Sequence, residues 1–162
     1  MADLKGWSVL VAGVRRVQGD PGKVLDEMRA KNPGVFVQAA DAQSVYGQEH
    51  VIGALQIALE AQARKVMIAD KVETELLLRL ACTDQISDAL KKAGLKKDRP
   101  GCLIGFSRDL QAIKNFGDQL SSLDLDDSVL EPSKEKAEKI IAKGQDRVLD
   151  YLLERAAIMV RG

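Results

Sequence analysis

His50 is the only histidine in this chain of 162 residues. With Glu49 beside it and Asp41 upstream it could act as a general base in a small enzyme of unrecognised type, if one pocket gathered all three. A single imidazole cannot furnish a histidine-rich metal site, and catalysis would need further groups placed around it. Cys82 and Cys102 have no CxxC or HxxxH companion, which argues against zinc, so they read as reduced core cysteines of a cytosolic protein. The stretch "GDPGKV" has the Gly-Lys of a phosphate loop. It has Val17 where that loop needs glycine, and Val24 where it needs serine or threonine. Asp124–Asp127 lacks the ligand ladder and closing glutamate of a calcium loop. Neither a metal nor a cofactor is expected.

Lysines give a second kind of chemistry, contact with phosphate. The 24 basic and 24 acidic side chains cancel, so nucleic-acid binding would have to come from a local patch. Lys91, Lys92, Lys96, Lys97 and Arg99 face only Asp98 within residues 91–99. Lys65 and Lys71 form a second basic pair. Aromatic residues are 4% of the chain, too few for a broad base-stacking platform, which leaves contact with a few phosphates and a terminal base. Residues 118–131 hold Asp118, Asp124, Asp126, Asp127 and Glu131 with no base, and read as a solvated acidic segment.

The elements that must position these groups follow from periodicity. "WSVLVAGV" and "GCLIGFS" are apolar runs that predict strands, and "VFVQAADAQSV" (Val35–Val45) predicts a strand running into a loop or a short strand. Asp20 with Pro21 predicts a helix start, and Asn32-Pro33-Gly34 its end. A helix over Gln48–Lys65 is apolar on most sides, so it should be buried on more than one face, with Gly53, Ala54, Ala58 and Ala61 permitting close approach. Asp70 and Glu73 resemble a capping box for a helix ending near Ala81, where Leu76, Leu77 and Leu80 face inward. Glu73 and Glu75 suit its positive end. Thr83 or Asp84 should cap the next helix, whose inner face is Ile86, Ala89, Leu90 and Ala93, with Gly94 closing it in a left-handed conformation. Arg108–Leu120 predicts another helix, and Ser133–Met159 a helical segment bent at Gly144. The expected fold is α/β or α+β, a small mixed or antiparallel sheet packed with several helices. The expected organisation is a single domain over 1–162, with an acidic connector at 118–132 and a C-terminal helical segment at 133–160. No apolar run approaches the length of a membrane span, and "MADLKGW" lacks a signal core, so a cytoplasmic protein is expected.

Residues His50–Leu95 carry a more specific pattern. His50 is followed by Ala54 and Ala58 along a helix, then by Lys65 and Lys71, then Glu75-x-Leu77-Leu78, a turn, Gln85-Ile86-Ser87-x-Ala89 and Gly94. This resembles the kinase-binding regulatory subunit of the KEOPS tRNA-modification complex (the CGI family), in its archaeal type. The likeness extends through Cys102–Phe106 and returns at Leu152–Val160. Relatives often carry arginine where this chain has Asp84.

The resemblance implies a mixed α/β fold without catalysis of its own. It implies binding to the N-lobe of the small atypical kinase, which works as an ATPase, and indirect association with the other KEOPS subunits. It also implies capture of the tRNA 3′ CCA end in support of threonylcarbamoyl-adenosine formation. On that basis Lys65, Lys71, Lys91, Lys92 and Lys96 are the expected tRNA contacts, and Val51, Leu55, Leu153, Ile158 and Met159 the expected kinase contacts. The alternatives are the His50 enzyme and a structural dimerisation domain.

Overall fold

A computed structural model describes residues 1–140 and 147–160. In chain order the elements are β1 (Ala2–Leu4), β2 (Trp7–Val14), α1 (Pro21–Lys31), β3 (Phe36–Asp41), α2 (Gln48–Ala63), α3 (Val72–Ala81), α4 (Ile86–Ala93), β4 (Gly101–Ser107), α5 (Leu110–Leu120), α6 (Lys134–Ile140) and α7 (Val148–Ile158). Short 3₁₀ turns cover Ala42–Ser44 and Asp127–Leu130. The fold is α+β, as expected, and its sheet is antiparallel throughout. The chain folds as two compact units, Met1–Ala42 with Leu95–Val129, and Gln43–Gly94 with Leu130–Gly162. Gly144, the expected bend, lies outside the described residues.

The first unit is the sheet, in the order β1-β2-β4-β3, with α1 and α5. Three strands form where the β-branched runs predict them. The fourth, β1, joins β2 through a two-residue turn, Lys5-Gly6, both at positive φ (51° and 88°), the geometry that matches the twist of a tight hairpin. One sheet face, with Ala12, Val14, Val37, Ala39 and Leu103, packs with Ile113, Phe116 and Leu120 of α5 and with Leu25 and Met28 of α1. Gly105 is small because the Phe116 ring occupies the space its side chain would fill. Phe36 lies opposite Phe106 across the β3–β4 pair, with ring centroids 5.3 Å apart, and Trp7 completes a cluster under the Arg108 guanidinium.

The acidic segment after α5 has partners in this unit. Asp126 donates its backbone N–H to the Gly13 carbonyl, and the Gly13 N–H donates to Asp127 Oδ1 at 2.9 Å. Arg15 meets Asp126 at 3.0 Å and Asp124 at 3.8 Å. β2 runs past the end of β1, and these contacts satisfy backbone groups of that unpaired edge. Hydrogen bonds from Ser128 and from Arg15 hold the Asp126 carboxyl below the usual range.

The second unit is helical among the described residues. α2 packs on α3 and α7, and α3 packs on α4 and α7. Gly53 lets α2 approach α7, since a Cβ there would lie 2.6 Å from Leu153 Cδ2. No helix among the described residues is long and apolar enough to cross a membrane.

Candidate partner-binding surfaces

The helix ends of the second unit depart from the expected capping chemistry, and this decides which polar groups are inside. Lys71, not Asp70, is the N-cap of α3, and no side chain caps it. Glu75 is not a solvent-facing first-turn acid. It is fully buried, and its carboxylate accepts from the backbone N–H groups of Ile68 and Ala69. It also meets Arg79 one turn on, at 3.6 Å. Gln85 is the N-cap of α4, with Thr83 accepting its backbone N–H at 3.2 Å. Gly94 has φ −64°, so the expected left-handed closure does not form. Glycine is required there because a Cβ would run into the Leu90 carbonyl.

His50 is 1% exposed. Its Nδ1 accepts the Tyr46 backbone N–H at 3.0 Å, so the ring proton sits on Nε2, which has no partner among the described residues. Burial first, and then the Lys136 ammonium, lower its pKa to about 4. Glu49, the preceding residue, is exposed. Asp41 is buried in the first unit, within 3.9 Å of Lys96 and 3.8 Å of Arg99. The imidazole serves the turn into α2, and Glu49 does not join it. Cys82 is half-buried, with Sγ 3.5 Å from the Leu152 carbonyl, and burial pushes its thiol pKa up. No cluster of three or more potential metal ligands occurs among the described residues.

The expected kinase contacts divide by exposure. Val51 and Leu55 are wholly buried, so they shape the interior rather than a docking face. Leu153 is half-buried against Gly53, and Met159 is half-buried with its carbonyl accepting from Arg79 at 2.9 Å. Ile158 is 76% exposed, and Val160, two residues on, is 73% exposed. The end of α7 therefore presents two branched apolar side chains to solvent. A second apolar exposure lies on α4. Ala89 and Ala93 face inward as expected, whereas Ile86 and Leu90 are about half exposed, against expectation. The alanines let α4 lie close to α3 and leave the two larger side chains on the shoulder of the apolar stripe.

Among the expected tRNA contacts, Lys65, Lys71, Lys91 and Lys92 are exposed. Lys91 and Lys92 occupy the last turn of α4, beside Leu90 and at the helix's negative end. Ser44 Oγ donates to the Lys92 carbonyl at 2.6 Å and pins that turn. Lys65, at φ 59°, turns the chain out of α2, and Lys71 begins α3. Lys96 is half-buried, belongs to the first unit and lies near the Asp41 carboxylate.

The buried Glu75–Arg79 pair and the buried Lys136, which donates to the Val45 carbonyl at 3.0 Å, are polar anchors that sequence reasoning missed. For the first pair a signal existed, since an arginine four residues after a glutamate inside "ELLLRL" has i,i+4 spacing in an otherwise apolar run. A family model described as kinase binding protein CGI-121 matches residues 16–143. No curated protein matches the chain.

Proposed function

The chain belongs to the CGI-121 kinase-binding protein family, and from this premise we propose that it is a non-catalytic regulatory subunit of the KEOPS complex. In this reading it docks on the N-lobe of the small kinase/ATPase subunit and holds the 3′ CCA end of tRNA while threonylcarbamoyl-adenosine is made. The observation that carries the reading is the apolar end of α7, where Ile158 and Val160 stand in solvent beside the half-buried Leu153 and Met159. Exposed branched side chains at a fixed helix end are what a partner surface requires. The membership itself extends over residues 16–143, so the α7 surface rests on its geometry alone. Reconstituted modification tests the function: omission of this chain should depress threonylcarbamoyl transfer to tRNA, and an unchanged yield would refute it.

For tRNA, the exposed Lys91 and Lys92 at the pinned end of α4 are the leading contacts, with Lys65 and Lys71 as a second pair. Each lysine on a phosphate releases about one counterion, so the logarithm of affinity should fall with the logarithm of salt concentration. The double variant Lys91→Glu/Lys92→Glu is expected to weaken tRNA binding most at low salt and to lower the salt slope by about 2. Both residues are exposed, so the melting temperature should hold. Filter binding over a salt series reads both quantities, and an unchanged slope would move the phosphate contacts to Lys65 and Lys71.

A further inference from the structure

We infer that Arg79, anchored by Glu75, is a positioning residue for kinase binding, fixing the Ile158–Val160 tip without touching the partner. The inference rests on the docking face proposed above. α7 ends without a left-handed closing residue, for Met159 is extended at φ −68° and ψ 132°. The last carbonyls of a helix then lack intrahelical donors. Arg79 fills that role from another helix: its Nη1 donates to the Ala156 carbonyl at 2.7 Å and to the Met159 carbonyl at 2.9 Å. A guanidinium also suits the negative end of a helix.

The arrangement is costly, which is why it calls for an explanation. The Arg79 side chain is 3% exposed and that of Glu75 is 0% exposed. Packed apolar side chains of similar volume generally stabilise an interior as well as a buried ion pair or better. What the pair supplies is direction. Glu75 is held by the Ile68 and Ala69 N–H groups, Arg79 by Glu75, and the end of α7 by Arg79. Arg79 Nε has no partner among the described residues, so the guanidinium is oriented through its two terminal nitrogens. Ile158 and Val160 flank Met159, whose carbonyl is the last fixed point of this chain of bonds. Fixing it removes the ordering cost that a frayed tip would incur on binding.

Removing Arg79 alone would leave the buried Glu75 carboxyl without its ion-pair partner, so the test uses Glu75→Gln/Arg79→Met. Glutamine keeps an acceptor for the loop amides, and methionine keeps an unbranched side chain without charge. The circular dichroism of the folded state should be unchanged. Amide exchange should quicken at 158–160, and the affinity for the kinase subunit should fall about tenfold, a loss in preorganisation rather than in contact. Arg79→Lys keeps the charge but lacks the second terminal nitrogen that meets Glu75, so it should lose less. The docking face is checked separately by Ile158→Asp. Kinase affinity unaltered in that variant would refute the face itself. Binding lost in Ile158→Asp but intact in the double variant, with its tip exchanging faster, would overturn the positioning role alone. If the double variant does not fold, Arg79→Lys decides: a folded protein with wild-type exchange and affinity overturns the inference.

Discussion

Ile158→Asp is expected to weaken kinase binding by at least about a hundredfold while leaving the fold intact. A central apolar anchor commonly carries 2 kcal/mol or more of binding energy, roughly a factor of thirty. The introduced carboxylate adds the cost of burying an unpaired charge at the interface, which takes the loss further. Stability should change little because the native side chain is 76% exposed. A negative charge at the C-terminal end of α7 opposes the helix dipole, a penalty of about 0.3–1 kcal/mol. Titration calorimetry with the kinase subunit and a thermal melt of the variant separate the two effects. An unchanged affinity with an unchanged melt would exclude the α7 tip and direct attention to Ile86 and Leu90 on α4.

His50→Gln should remove much of the acid sensitivity of the fold. In the unfolded chain the imidazole titrates near 6.5, whereas in the folded protein burial and the Lys136 charge hold it down to about 4. Between those values the unfolded chain binds the extra proton. Stability from the neutral ring is therefore full above pH 6.5 and is lost as the pH falls to 4. A difference of that size corresponds to about 3 kcal/mol. Glutamine can still accept the Tyr46 N–H and carries no titrating group, so the variant should lack this part of the loss. Carboxylates titrate alike in both proteins, and the informative quantity is the difference between their urea-unfolding free energies at pH 7 and at pH 4. Equal acid dependence would show that the His50 ring protonates freely in the folded state and is not the buried support of the turn described above.

The strands β2 and β4 and the helices α1, α2 and α5 were legible because each declares itself locally, through a β-branched run, an N-cap with proline, or an apolar period. β1 is not legible in the sequence, because three residues carry no period. Its signal was the Lys5-Gly6 turn before Trp7. The inner face of α4 was half legible: the period named four residues, and the packing distance to α3 selected the two alanines. The capping assignments failed for a different reason. Asp70 and Glu73 have the spacing of a capping box, yet the α3 N-cap is Lys71, and Glu75 turns to the loop amides instead. Val51 and Leu55 were expected at a surface because apolar residues in a sequence look alike whether they face a partner or the interior. Arg79 shows the limit most clearly, for its acceptors lie 77 and 80 residues away along the chain. Only the folded chain brings that donor to the end of α7.

The central claim is that this molecule acts through a fitted surface, and titration of the kinase subunit with the wild-type chain at several temperatures tests it most directly. The account predicts one-to-one binding with a Kd at or below about 1 μM and a negative heat-capacity change, the mark of apolar side chains leaving water. Absence of saturable binding at a hundred times that concentration would contradict it.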